Sequence, residues 1–234
     1  MSRPKPSPTL RVASYNIRKA RGLDQRRDPM RILEVINSLE ADVVALQEAD
    51  MRLGARPSAL ARDLISRETD YEVAPIARNA VALGWHGNAV LVRKDISVGK
   101  VTHLDLPGLE PRGAVRLTLG GPFELDLIAA HLGLIRRNRV QQFETILKQT
   151  DKDRPTVLIG DFNEWSTRRG MEPLAGRFEV HIPGHSFHAR RQIASLDRIA
   201  LSGGLELRSA GVEEGPLARR ASDHLPIWGD IAPV

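Results

Sequence analysis

Two periods alternate along this chain. Runs rich in valine, isoleucine and leucine read as strands at Leu10 to Ile17, Asp42 to Gln47, Gly87 to Arg93, Ala114 to Leu119, Glu124 to Leu132, Pro155 to Gly160, Leu196 to Leu201 and His224 to Ile231. Between some of them the apolar spacing is helical. One helix opens at Asp28-Pro29, an N-cap followed by proline in the first turn, with Ile32, Val35, Ile36 and Leu39 on one face. A second spans Asn138 to Thr150 with Val140, Phe143 and Leu147 on one side, and a third lies near Ser58 to Thr69. Helices gather in the first two thirds, while the middle and end are richer in strands. This distribution predicts mixed sheets covered by helices rather than a doubly wound parallel sheet.

Four of the apolar runs finish in polar side chains. The first ends at Asn16, the second at Glu48, the fifth at His131, and Thr-Val-Leu-Ile-Gly-Asp-Phe-Asn ends at Asp161 and Asn163. In extended backbone, residues i and i+2 share a side, so Phe162 can anchor in the core while Asp161 and Asn163 face a common space. The alternative for that segment is an ordinary strand exit through an Asx turn. Asp197 and the pair Asp223-His224 instead open strands. A strand that begins where others end runs antiparallel to them, so mixed sheets gather all eight residues on one rim. Singly, each has a plain structural reading: a turn former, a cap, a core histidine. Jointly they point to a site, because buried carboxylates, amides and imidazoles are costly unless paired.

Composition narrows the chemistry. The 234 residues are 41% hydrophobic and 27% charged, ordinary for a globular protein, and carry a net charge of +5. Residues 1–9 read as a flexible tail and 10–234 as one domain. There is no cysteine, which excludes disulfides, thiolate metal sites and thiol nucleophiles. No apolar run approaches the ~20 residues of a membrane span, there is no secretory h-region, and a cytoplasmic location is expected. Walker-type, dinucleotide-binding and H-E-x-x-H motifs are absent.

Y-N-I, L-Q-E, H-L-G, G-D-F-N, L-D-R-I and S-D-H-L-P occur here in that order, from about Val12 to Trp228. The set resembles the endonuclease/exonuclease/phosphatase superfamily, which includes pancreatic deoxyribonuclease, abasic-site endonucleases, neutral sphingomyelinases and inositol polyphosphate 5-phosphatases. The resemblance implies an α/β fold, a four-layered α/β/β/α sandwich of two packed mixed sheets flanked by helices, and a metal-dependent phosphoester hydrolase. It implies Glu48 as the principal metal carboxylate, with Asn16 and Asp223, for Mg²⁺ or Mn²⁺. Asp161 would prepare the attacking water, Asn163 would donate to a phosphate oxygen, Asp197 would orient His224, and His224 and His131 would contact the phosphate or leaving group. Asn88 matches a position often polar in relatives. The chain departs from the pattern at Asn16-Ile17-Arg18-Lys19-Ala20-Arg21-Gly22, where small bacterial members often read N-I-H-x-G-x-G. His131 stands where abasic-site enzymes carry tyrosine.

Basic pairs flank these segments: Arg18-Lys19, Arg136-Arg137, Arg168-Arg169, Arg190-Arg191 and Arg219-Arg220. They read either as solvated loop charges or as a phosphate-binding rim, for which Arg18, Arg136, Arg137 and Arg191 are the candidates. The rim favours a nucleic acid substrate. A phospholipid or sugar phosphate is the alternative, for which Trp85 in Leu-Gly-Trp-His-Gly is the one hint of a membrane-inserting hairpin. A catalytically silent phosphate-binding module is the second alternative. Nothing in the sequence marks a protein partner.

Overall fold

The computed structural model describes residues 8–234, so most of the expected tail lies outside the described residues. Along the chain run β1 (Leu10–Asn16), α1 (Pro29–Ser38), β2 (Val43–Gln47), α2 (Arg62–Glu68), β3 (Tyr71–Val73), β4 (Ala89–Arg93), β5 (Ser97–Asp105) and β6 (Gly113–Gly120). There follow β7 (Leu125–His131), α3 (Arg136–Lys148), β8 (Thr156–Asp161), β9 (Phe178–His181), β10 (Asp197–Ser202), β11 (Leu205–Val212), α4 (Ala218–Ala221) and β12 (Ile227–Pro233). The strands form two six-stranded mixed sheets, in the orders β11-β12-β1-β2-β4-β3 and β5-β6-β7-β8-β10-β9.

Alternation within each strand builds the layers. Val43 and Ala45 of β2 join Val115, Leu127, Val157 and Ile159 in the core between the sheets. Val44 and Leu46, one residue out of phase, pack with Ile32, Leu33 and Ile36 of α1. On the far side, Ile128 and Leu158 meet Phe143 and Ile146 of α3. Central strands are therefore apolar on both faces, which is why they read as continuous hydrophobic runs. The result is the α/β/β/α sandwich expected from the sequence. Asp28 caps α1 as predicted, its Oδ1 accepting the Arg31 amide at 3.1 Å.

Two details differ from the sequence reading. The inward face of α3 is centred on Arg139, Gln142, Phe143 and Ile146, while Val140 and Leu147 are only half-buried. The helix is rotated because Arg139 and Gln142 find buried partners: Arg139 meets Glu164 at 2.6 Å, and Gln142 bonds Gly133 N and Pro107 O. Trp85 is buried, packed against His86 and His103 with Arg78 over its ring. It is no membrane-inserting hairpin.

The topology decides where the polar strand ends go. β1 and β2 are parallel, with Asn16 opposite Gln47; β7 and β8 are parallel, with His131 opposite Asp161. β10 runs antiparallel to β8, placing Asp197 opposite Asp161, and β12 runs antiparallel to β1. One end of the sandwich collects them all.

Candidate active site

Asp161 stands at the centre. Gly160 before it has φ +150, and a Cβ there would lie 1.9 Å from the Ala130 carbonyl oxygen, so only glycine lets β8 approach β7 this closely. Phe162 is buried edge-on against Phe143 with ring centroids 5.5 Å apart. Asn163 is not extended: its φ is +52, and its amide donates to Asp161 Oδ1 at 2.9 Å. An Asx turn therefore does occur. It is the turn, not strand alternation, that ties Asn163 to Asp161.

Asp161 Oδ2 gathers three neighbours. Asn16 Nδ2 donates to it at 3.0 Å from the other sheet; His131 Nε2 lies at 3.4 Å and His224 Nε2 at 3.7 Å. His224 Nδ1 is 2.9 Å from Asp197 Oδ2, which also accepts from Ser186 Oγ. Ser222 Oγ donates to the Asn16 carbonyl at 2.7 Å and ties the His224 segment to β1. These side chains are almost completely removed from solvent.

Burial separates their protonation states. It opposes charge on His224, but Asp197 and Asp161 outweigh it and push the imidazole up to about 10, so it is a cation at neutral pH. Burial also disfavours the Asp161 carboxylate and raises it to about 6, against the stabilising effect of His224 and the Asn16 bond. His131 goes the other way. Burial, reinforced by Arg112, holds it well below the ordinary histidine range, so its ring is neutral. Arg112 Nη1 lies 2.8 Å from His131 Nε2 and 3.0 Å from Nδ1, and whichever nitrogen is unprotonated accepts. Glu110 fixes that guanidinium through bonds of 2.7 and 3.0 Å.

Beside this network a cavity of about 150 Å³ is lined by Glu48, His131, Lys19, Arg52, Arg56 and Arg112, among others. Glu48 has φ +52 and its carboxylate faces cations: Lys19 Nζ sits on Oε2, and Arg52 is 3.2 Å from Oε1. Burial raises such a carboxyl, yet Lys19 and Arg52 bring Glu48 below the usual range, so it is ionised. Arg18, Lys19 and Ala20 are three successive residues in the left-handed region, with φ of 47, 57 and 57. Each costs on the order of 1–2 kcal/mol. The turn is held by Ile17 N to Gln47 O and Lys19 N to Glu48 O, both 3.0 Å.

Of the residues singled out in the sequence, Asn16, His131, Asp161, Asn163, Asp197 and His224 come into one connected group, with Glu48 lining the adjoining cavity. Asp223 lies at the edge, 3.3 Å from Arg18. Asn88 is fully buried: its amide nitrogen donates to Gly113 O at 2.8 Å and Trp85 O at 3.4 Å, while its Oδ1 has no partner among the described residues. Arg137 and Arg191 are exposed on the rim, and exposed Arg136 pairs with Glu172 at 3.0 Å. The sequence reading missed Arg112, Arg52, Ser186 and Lys19 as a partner of Glu48. None has a periodic or motif signal, because each meets its partner only through tertiary folding.

Comparison with known proteins bears on the fold and the family. The chain is 26% identical over 251 aligned residues to Uncharacterized protein YbhP of Escherichia coli K12, covering 95% of this chain and 96% of that one. In fold it is similar to Bacteroides thetaiotaomicron mannosyl-6-phosphatase Bt3783, with a TM-score of 0.74, 20% identity, and coverage of 95% and 99%. It is similar also to D. rerio TDP2 complexed with single strand DNA product, with a TM-score of 0.73, 16% identity, and coverage of 95% and 98%. The sequence profile of one family matches residues 13–224, nearly the whole span that builds the two sheets and the site between their ends. The chain belongs to the Endonuclease/Exonuclease/phosphatase family, whose members are hydrolases acting on phosphoesters.

Proposed function

We propose that this protein is a divalent-metal-dependent phosphodiesterase in which Asp161 activates the attacking water. The observation that carries the reading is the buried Asp161 carboxyl, whose Oδ2 lies 3.4 Å from His131 Nε2 and 3.7 Å from His224 Nε2 and which burial raises to about 6. Such a group takes a proton near neutral pH, as a general base must. Water gives its proton to Asp161 as its oxygen attacks phosphorus, the ester P–O bond breaks, and the leaving oxygen is protonated from solvent. The His224 cation, held by Asp197, faces the charge that builds on the phosphoryl oxygens. Asn163 gives one amide hydrogen to Leu132 O at 2.8 Å, and its second is available to a phosphate oxygen. Neutral His131, steadied by Arg112, faces the leaving group.

The donor set suits the family's divalent cation. Glu48 is an ionised acid whose carboxylate is matched by two cations, Lys19 and Arg52, which a hard metal ion would replace. Asn16 Oδ1 and Asp223 would complete an oxygen site for Mg²⁺ or Mn²⁺, although Asn16 Oδ1 also accepts Arg18 N at 3.1 Å. A cation held there neutralises charge on the phosphate. Asp161, Asp197 and His224 also lie close enough to chelate. We assign them to proton and charge work instead, because against burial Asp197 and Asp161 raise His224 to about 10, and an imidazolium protonated on both nitrogens has no lone pair for a metal.

Diesters of nucleic acids and of phospholipids both fit this chemistry. The exposed arginine pairs support a polyanionic strand, and the proteins of similar fold support breadth, since one is a mannosyl-6-phosphatase and another holds a DNA product. The test is turnover of bis-p-nitrophenyl phosphate with Mg²⁺ or Mn²⁺, for wild type and Glu48→Gln. Turnover should vanish in EDTA, and Glu48→Gln should recover in part at high metal. Undiminished activity in EDTA overturns the proposal.

A further inference from the structure

We infer that the rim of the site is a membrane-docking collar, and that the phosphodiester it receives is the headgroup of an anionic phospholipid in a bilayer. The inference deepens the proposed function and rests on it for chemistry, but its evidence is the surface. Large apolar side chains stand exposed on the loops around the site: Leu53, Leu109, Leu134, Ile135, Trp165 and Ile193, at 49% to 89% exposure. They come from five different connections, after β2, β5, β7, β8 and β9. The sheet directions bring every one of these loops to the same end, because β5, β7, β8 and β9 are mutually parallel within their sheet and β2 ends beside Asn16.

Three of them lead directly to the chemistry. Leu53 follows Arg52, which meets Glu48. Leu134 N donates to Glu110 Oε1, and Glu110 holds Arg112 on His131. The Trp165 ring stacks edge-on against Phe187 at 5.9 Å, and Phe187 lies 5.0 Å from His224.

Cations alternate with the apolar groups. Exposed Arg136 and Arg137 follow Ile135, Arg168 and Arg169 follow Trp165, and Arg190 and Arg191 precede Ile193. At the opposite end acids outnumber cations in the short connections: Glu40, Asp70, Asp95, Glu124, Asp151 and Asp153 stand there against Lys94, Lys152 and Arg154. Among the described residues, none of those connections bears an exposed large hydrophobic; Val234, at the chain's end, is the exception at that pole. The molecule is thus polarised, with a cationic and apolar face around the site. Such a face is attracted to an anionic bilayer and then inserts its aliphatic groups at the acyl boundary. A nucleic acid would reward the arginines but not leucine and isoleucine, since bases stack on aromatic rings and Trp165 is the one exposed tryptophan here.

The experiment uses the full chain with vesicles of phosphatidylglycerol and phosphatidylcholine, against vesicles of phosphatidylcholine alone. We expect flotation with the anionic vesicles and a blue shift of tryptophan emission that Trp165→Phe abolishes. Leu109→Ser/Ile193→Ser, at exposed positions outside the reacting groups, should weaken vesicle binding by tenfold or more. The same variant should hydrolyse bis-p-nitrophenyl phosphate within about twofold of wild type. Absence of vesicle binding, or equal binding by the double variant, overturns the collar even when the soluble diester is hydrolysed. Salt-dependent oligonucleotide binding without vesicle binding assigns the rim to nucleic acid instead. Loss of diester turnover with vesicle binding intact would refute the proposed chemistry and leave the collar standing.

Discussion

Asn16 Nδ2 donates to Asp161 Oδ2 across 3.0 Å, joining the end of β1 in one sheet to the end of β8 in the other. The bond stabilises the carboxylate form of a buried acid that desolvation pushes up to about 6. In the proposed mechanism Asp161 must be ionised to accept a proton and His224 protonated to carry charge, so activity should hold between about pH 6 and 10. Below the lower limit it should fall about tenfold per pH unit. Asn16→Ala removes a donor that favours the charged form, so its acid limb should move to higher pH. Profiles of kcat/KM in saturating Mn²⁺ check this, since a defect confined to metal binding lowers the profile without displacing that limb.

Asp197 and His224 form a buried pair 2.9 Å apart. If they act as a unit, Asp197→Asn and His224→Ala should each lower kcat by roughly 10²–10⁴. The double variant should then be little worse than the poorer single variant. Losses that multiply would separate the two roles.

Lys19 sits on the carboxylate of Glu48 from a left-handed turn, where a divalent ion would bind. Lys19→Met removes that competitor. Its affinity for Mn²⁺, read by titration calorimetry or electron paramagnetic resonance, should rise roughly three- to tenfold, as expected for a half-buried pair worth about 1 kcal/mol. Unchanged or weaker binding would show that Lys19 helps to hold the site.

The sequence made the central strands legible because they are apolar on both faces. β3, β5, β9 and β11 were missed, and these are the four sheet edges. Edge strands carry polar and half-exposed residues, as in the Ser97–Asp105 run of β5, and so lack a continuous apolar signal. The polar strand ends were readable in the same way, since Asp161 or Asn16 interrupts an otherwise apolar run. Arg112 was not, because its meaning depends on a hairpin folding back onto His131. Likewise the α3 register was misjudged: Arg139 and Gln142 look solvent-facing until their partners across the chain are known.

Arg139 offers the last test. Its guanidinium meets Glu164 at 2.6 Å, with both side chains buried, and donates to the carbonyls of Gly133 and Leu134 at 3.1 and 2.7 Å. Glu164 in turn accepts Ser166 N at 2.8 Å, and its carbonyl accepts Arg198 Nη2 at 3.2 Å. One ion pair thus ties α3 to both loops that flank the candidate site. Glu164→Gln leaves a buried guanidinium without its counter-charge, which costs about 3–5 kcal/mol. For a chain of this size that corresponds to a fall in Tm of roughly 6–20 °C. Arg139→Met/Glu164→Gln removes both charges and should be less destabilised than Glu164→Gln alone. Thermal melts of wild type, Arg139→Met, Glu164→Gln and the double variant decide it: additive losses would mean that the two side chains stabilise the loops separately, through their backbone bonds, and not as a charge pair.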